Sequence, residues 1–488
     1  MDEELVDEEQ VDETRTSADV DARRSAVLHG LLPIMRIADR PLRSTLTERM
    51  HHHACPGVGI AVMHDGRIDW ADGFGRRHAD RPDPVGPETV FMAASCSKPV
   101  TAMLVLQQVD RGVLDLDTDV NTYLRRWHVP PNEFTVEQPV TLRHLLSHTA
   151  GVTVNGFGAT VNDGRPVADV FDLLAGRPPA RNAPILVDKP YDGTDRYSGG
   201  GYVIAQLVLE DVLDATFDRI ADEHLLTPLG MTRSSFVHPL TPRLRDDVAA
   251  GHGDDGRPHP GDWMISSEMA AGGLFSTARD YATFLLACRD AWLGVPGAVL
   301  GRSLAQEMTT RHGHGVFGLG VKVMGDGSTA RINHGGSNDG YQSETNLYLE
   351  SGDGAVVLTN AVSGIYLFRE ILNGIADVYD WPAYMPAPKR LHTFTEADLQ
   401  RYVGEYRIEL GIELPLLRVW AEDGRLFNEI PGLRFGVQEV FCDTDGVLFN
   451  QTGPFETRTV DGPDGRVAAL HVYEGDVEII RATRVAAP

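Results

Sequence analysis

Phe91–Gly112 reads FMAASCSKPVTAMLVLQQVDRG. From Pro99 onward Val100, Met103, Leu104, Leu106 and Val109 recur at helical spacing, Pro99 suits a first helical turn, and Gly112 can supply a left-handed stop. The helix this predicts has Ser95 at its mouth and Lys98 three residues later on the same face. An amine therefore stands beside a hydroxyl. A serine hydroxyl is a weak nucleophile until a neighbour takes its proton, and a lysine whose pKa is drawn below its usual ~10.4 can take it. The positive end of the helix dipole favours that shift and steadies negative charge near Ser95. Cys96 lies ~100° around the helix from its neighbours and reads as a packing residue. Alone, S-x-x-K is a frequent coincidence, so its meaning rests on the rest of the chain.

Working outward, GIAVMHDGRIDWADGFG, between Val58 and Gly75, contains two apolar segments joined at Asp65-Gly66, a hairpin signal. Helical patterns follow at Leu142–Leu146, Gly200–Leu213, Phe217–Leu226 and Asp280–Arg289, the last preceded by the N-cap candidates Ser276 and Thr277. Strand signals return at Asn346–Glu350 and Ala355–Thr359, and a helix-like Ile365–Val378 closes this part. Pro382, Pro386 and Pro388 interrupt it and read as a linker. Beyond them short apolar segments alternate with Asp423-Gly424, Asp445-Gly446, Asp464-Gly465 and Glu474-Gly475, which predicts an antiparallel β-barrel or sandwich from about Thr395 to Pro488. The expected division is a disordered acidic tail over 1–24, a first domain over 25–381, a linker over 382–394 and a β-domain over 395–488.

Composition removes several classes of function. The 488 residues include 44 basic and 70 acidic side chains, a net charge of −26, which repels phosphate backbones and anionic lipid. No apolar run reaches the ~20 residues of a membrane helix. Ten of those acids fall within Met1–Asp21, where only Arg15 opposes them, so that segment is expected to stay solvated. It lacks the basic start and apolar stretch of a secretory signal, which points to the cytoplasm. Cys55, Cys96, Cys288 and Cys442 have no metal-ligand spacing and read as reduced thiols.

Tyr197 in DRYSGGGYVIAQLVLE and His334 in INHGGSNDGYQS complete the pattern opened by Ser95 and Lys98. In that order the four residues resemble the serine β-lactamase-like superfamily, in particular its class C β-lactamase, D-alanyl-D-alanine carboxypeptidase and family VIII esterase branch. TLRHLLSHTAGV (Thr141–Val152), LLTPLGM (Leu225–Met231), MAAGGLFSTARDYATFL (Met269–Leu285) and FGLGV (Phe317–Val321) support the resemblance, which spans roughly Pro56–Asp380. It implies an α/β domain of antiparallel sheet flanked by helices, an all-helical region between Gly112 and about Trp263, and a small C-terminal β-barrel of lipocalin-like aspect.

The same resemblance implies roles. Ser95 is the acylated nucleophile, Lys98 its proton partner and Tyr197 the proton shuttle. His334-Gly335-Gly336 resembles the H-x-G form of a K-T-G strand motif, whose small residues let the strand backbone approach the substrate. His334 itself divides between direct catalysis and shaping that strand. The oxyanion hole would use the N–H groups of Ser95 and Ser337. Two departures stand out. Gly199 occupies a position where the family commonly has an asparagine that binds a substrate amide, and His334, with its ordinary pKa of ~6.5, replaces a permanently charged lysine. Both point away from β-lactams and toward an ester, an amide or a short peptide, D-residues included.

Other features receive plainer readings. His148 reads as a structural loop histidine, Gly199–Gly201 permit close packing behind Tyr197, and His51–His53, His312 and His314 lack a zinc spacing. The function expected is a serine hydrolase that forms an acyl-enzyme on Ser95 without metal or organic cofactor, acting on a small-molecule or peptide substrate. Its alternatives are an acyltransferase or peptide cyclase using the same acyl-enzyme, and a penicillin-binding-type module that never turns over. The β-domain divides between stability or homo-oligomer formation and a ligand cup or lid.

Overall fold

The hairpin at Asp65-Gly66 forms β1 (Gly57–His64) and β2 (Arg67–Gly75), with His64 opposite Arg67. The computed structural model describes residues 16–485 apart from 159, 161, 163, 254, 410–413 and 433–435. β3 (Phe91–Ala94) pairs with β4 (Leu274–Ser276) in a separate two-stranded ribbon. The main sheet continues with β5 (Lys322–Met324), β6 (Arg331–Asn338), β7 (Tyr341–Tyr348) and β8 (Gly354–Thr359), in the order β2-β1-β8-β7-β6-β5. The first strand is thus paired with the last, Val58 opposite Thr359 and Met63 opposite Gly354. The helices Ala278–Leu293 and Gly364–Val378 pack on this sheet. β1 and β8 are consequently apolar and buried along nearly their whole length.

The helix predicted after Ser95 runs Ser97–Asp110, and twelve of its fourteen residues are buried. It is a central helix without a solvent stripe, packed against the helix Gly199–Leu213 and the turn Met269–Gly272. Among the described residues, 113–268 form helices, loops and isolated bridges but no strand. Local chemistry sets the ends: Thr277 Oγ1 accepts the Asp280 N–H at 3.0 Å, and Ser198 Oγ accepts that of Gly201 at 3.1 Å. The expected helix Phe217–Leu226 is α-helical only to Ala221 and continues as a π-turn over Asp222–Leu226.

The described residues separate into two compact units, 16–28 with 46–383 and 29–45 with 384–485. This changes the expected boundaries in two ways. The acidic tail read over 1–24 lies partly outside the described residues, but Ser17–Leu28 is a helix clamped to β2 by Arg23–Asp69 (2.9 Å) and Arg24–Asp72. Residues 29–45, counted with the first domain, pack with the second unit: Ile37 bridges to Lys389, and Met35 and Ile37 join Phe441 and Phe449 in one apolar cluster. LLPIMRI (Leu31–Ile37) is an apolar segment in need of burial, and contiguity in sequence wrongly suggested the nearer core.

The second unit is a closed antiparallel barrel. Its strands are β9 (Gly404–Glu409), β10 (Leu417–Glu422), β11 (Arg425–Glu429), β12 (Gln438–Cys442), β13 (Leu448–Phe449), β14 (Phe455–Asp461), β15 (Val467–Glu474) and β16 (Val477–Arg484), and β16 pairs back onto β9. Tyr406, Leu426, Val440, Leu448, Leu470 and Ala482 form its core. Closure leaves no open edge. No helix among the described residues is long and apolar enough to cross a membrane.

One buried ionic group fastens the helix Leu46–His52 to the helix Gly364–Val378. The Glu370 carboxylate, almost fully buried, accepts two hydrogen bonds of 2.7 Å from Arg49 and lies 3.2 Å from His53 Nε2. Although burial by itself would raise the Glu370 pKa, these partners hold it below the usual carboxylate value. Removing one partner of a buried pair strands the other. Glu370→Ala is therefore expected to lower unfolding stability by about 3 kcal/mol in urea titrations at pH 7, with Arg49→Ala losing a comparable amount.

Candidate active site

β3 ends at Ala94, whose φ of +50° lies in the left-handed region. A non-glycine residue there costs about 1–2 kcal/mol, and the surroundings hold it: Ser97 Oγ donates to the Ala94 carbonyl at 2.7 Å and accepts the Leu274 N–H at 2.9 Å. This kink delivers Ser95 just ahead of the helix whose N-cap is Cys96. Cys96 points the other way, 3.3 Å from the His334 carbonyl and 3.4 Å from Ser343 Oγ. Burial pushes its thiol up to about 12, so it stays protonated and inert.

Lys98 is almost completely buried, and its Nζ lies 3.0 Å from Ser95 Oγ and 2.7 Å from the Ala271 carbonyl. The Tyr197 ring stands beside it, its centroid 4.8 Å from Nζ, with Tyr202 at 5.6 Å. Tyr197 is steadied from behind by His148, whose ring lies 4.4 Å away and whose Nδ1 accepts the Ser198 N–H at 3.1 Å. Burial holds His148 well below the ordinary histidine pKa, with Lys98 adding to the effect. A neutral, fixed imidazole supporting a loop agrees with the plain reading of this residue.

His334 is likewise buried, and it does not line the cleft. Its Nδ1 is 2.7 Å from the Gly335 carbonyl, and its buried Nε2 has no hydrogen-bond partner among the described residues. Burial first, then the charges of Lys98 and Lys322, push its pKa down to about 3. The imidazole is therefore neutral across the physiological range and offers no charge to a substrate carboxylate. Its ring centroid is 6.3 Å from that of Tyr197. Of its two expected roles, direct catalysis and shaping of the strand, a position within β6 and outside the cleft lining favours the second.

Gly336 also has a reason that motif reading missed. A Cβ there would stand 2.2 Å from the Ala93 carbonyl and 2.2 Å from Ser343 Oγ, so glycine is needed for β6 to approach β3. Hairpin register then orients the strand's polar groups. Asn338 pairs with Tyr341 across a two-residue turn, which makes that pair the hydrogen-bonded one, and bonding to β7 alternates from there. His334 obeys this alternation, for its N–H and carbonyl both meet Thr345 Oγ1 on β7. The backbone N–H of Ser337 falls on the opposite parity and faces the strand's free edge, beyond the reach of β5, which pairs only with Arg331–Asn333.

Ser95, Lys98, Tyr197, Gly335, Gly336 and Ser337 all line one cleft of about 590 Å³. Phe157, Met264, Ile265, Val362, Ile365 and Phe368 supply its apolar wall. The absent asparagine at position 199 has a steric explanation, since a Cβ on Gly199 would meet the Phe157 ring at 2.7 Å and the Asn155 carbonyl at 3.0 Å. The 155–157 loop has taken that space, and Asn155 itself lines the cleft. Sequence reading also missed the charged groups of the wall, Glu268, Lys322, Asp339, Glu344 and Arg369. Glu268 is the most unusual: burial pushes it up to about 7, while Ser266 and Lys98 pull the other way. The available signal was a carboxylate directly before MAAGGLF, in WMISSE (Trp263–Glu268). Among the described residues the one cluster with metal-ligand geometry is His64, Asp65 and Asp353. Arg289 already places its guanidinium there, against Gly66 and Gly352, which opposes a cation.

The Beta-lactamase family model matches residues 42–377. Penicillin-binding protein 4 of Amycolatopsis lactamdurans is 31% identical over 359 residues, covering 68% of this chain and 88% of that protein. The octameric penicillin-binding protein homologue from Pyrococcus abyssi has a similar structure, with a TM-score of 0.59 at 22% identity over 90% of this chain and 98% of that one. D-amino acid amidase from Ochrobactrum anthropi SV3 has a TM-score of 0.57 at 20% identity, covering 74% and 98%. These two likenesses concern the fold; the family match spans most of the chain, and the protein belongs to the beta-lactamase family.

Proposed function

We propose that this protein is a serine hydrolase that forms an acyl-enzyme on Ser95 and hydrolyses carboxylic esters, amides or short peptides, substrates with D-residues included. The observation that carries the reading is the 3.0 Å approach of Lys98 Nζ to Ser95 Oγ at the floor of a cleft shared with Tyr197 and the free edge of β6. Ser95 Oγ attacks the carbonyl carbon as its proton passes to Lys98. The tetrahedral oxyanion is met by the N–H groups of Ser95 and Ser337, each such donor being worth ~2.7–4 kcal/mol at a transition state. Tyr197 relays the proton to the departing amine or alcohol. A water then attacks the acyl carbon, returns its proton by the same relay, and frees the acid and Ser95.

Two features favour amides and esters over β-lactams. A neutral His334 cannot pair with a ring carboxylate, and the 155–157 loop fills the place of a side chain at position 199. The D-amino acid amidase neighbour agrees with amide chemistry, and the octameric neighbour supports proposing a homo-oligomer.

Intact-mass spectrometry with a fluorophosphonate probe tests the nucleophile. The native chain is expected to gain one label and Ser95→Ala none; labelling that persists in the variant refutes the assignment. Tyr197→Phe is expected to lower kcat for a p-nitrophenyl ester by ~10²–10⁴-fold with KM changing far less.

The cleft should also respond to pH through Glu268. Its folded pKa of about 7 lies above its ordinary 4.5, so between those values the folded state holds a proton that the unfolded state has released. Stability therefore falls as pH rises through that window and levels off above it. Glu268→Gln removes the effect. Relative to the native chain, its unfolding free energy in urea titrations is expected to be higher at pH 8 than at pH 4.5, by on the order of 1–3 kcal/mol.

A further inference from the structure

The barrel encloses a cavity of about 180 Å³, separate from the catalytic cleft. Strand register divides it into two ends. Leu426 pairs with Val440 and Leu448 with Thr457, and one step further along the same inward face Asn428 pairs with Gln438. The lining thus changes from apolar to amide over a single residue pair. At the apolar end the helix Glu396–Tyr402 and Arg484 form a floor, Arg484 donating to Tyr406 Oη (2.6 Å) and to the carbonyls of Arg401 and Val403 (both 2.7 Å). At the other end stand Asn428, Gln438 and Asn450.

These amides are not consumed by the barrel's own structure. Among the described residues Asn428 has no side-chain hydrogen bond, while Gln438 and Asn450 each use only a carbonyl oxygen, toward the Thr452 hydroxyl (3.0 and 2.8 Å) and, for Asn450, the backbone N–H groups of Thr452 and Gly453. An unfilled cavity of this size is destabilising. An apolar cavity of ~150 Å³ stays dry and admits a small apolar molecule. Glu429 also lines the amide end, and the chain carries a net −26, which together disfavour an anionic head group.

We propose that the barrel is a ligand site in its own right, taking a neutral amphiphile whose apolar body of about six to ten carbons fills the cup and whose hydroxyl or amide head meets Asn428, Gln438 and Asn450. Ligand-detected NMR titration of the full-length protein, with 1-octanol and sodium octanoate as probes, tests this. Saturable binding of 1-octanol at least tenfold tighter than octanoate is expected. Ala482→Phe, which projects a ring into the cup, should weaken 1-octanol at least tenfold while keeping a cooperative melt and esterase turnover. Asn428→Leu, at the rim, should weaken it about threefold or more and decides the question if the first variant fails to fold. No saturable 1-octanol binding, equal or tighter binding of octanoate, or undiminished binding in the variant that folds overturns the proposal.

Discussion

The amine of Lys98 is brought to one point by three separate parts of the chain, and the first unit is built around that constraint. Its own helix supplies the side chain, the turn at Ala271 supplies an acceptor, and the loop before Gly199 supplies the Tyr197 ring. A polar group taken out of water needs such partners. Meeting them places the helix Ser97–Asp110 at the centre of the unit, where it is buried on every side, its polar Ser97, Lys98, Thr101, Gln107 and Gln108 included. The same turn leads directly into β4, which pairs with β3 and so fixes the kink at Ala94 that presents Ser95.

Around this centre the protein holds its other reactive groups in uncharged forms. Cys96 keeps its proton because burial outweighs the opposing pull of Lys98, and His148 and His334 go without theirs because burial and the charge of Lys98 act together. The His148 ring lies against Tyr197, His334 turns its Nδ1 to the Gly335 carbonyl within β6, and Cys96 sits between helix and sheet. The hydroxyl, the amine and the phenol face the cleft, with Glu268 on its wall as a group whose charge changes near neutrality.

Much of this was readable from local chemistry. The Asp65-Gly66 turn, the proline-to-glycine span of the central helix, the Thr277 cap and the aspartate-glycine turns of the barrel all rest on forces acting within a few residues. The spacing of Ser95 and Lys98 is of the same kind, since one helical turn is enough to make them neighbours. Roles were harder to read than positions. Gly336 was read only as room for the substrate, and it lines the cleft, but the Ala93 carbonyl and Ser343 hydroxyl also leave no space there for a side chain. The gap at Gly199 looked like a missing recognition group, and the 155–157 loop occupies it.

The sequence by itself determined the periodic elements, their caps and turns, the change to a β-rich end and the pairing of nucleophile with amine. Tertiary structure alone decided that β1 would lie against β8, that residues 29–45 would serve the distant barrel, and that a histidine would lose its proton while a glutamate kept one. The physical reason is range. Backbone preference and helical spacing act over a turn or two, whereas strand partnership, desolvation and the room left beside a glycine depend on atoms that the chain brings together only when it has folded.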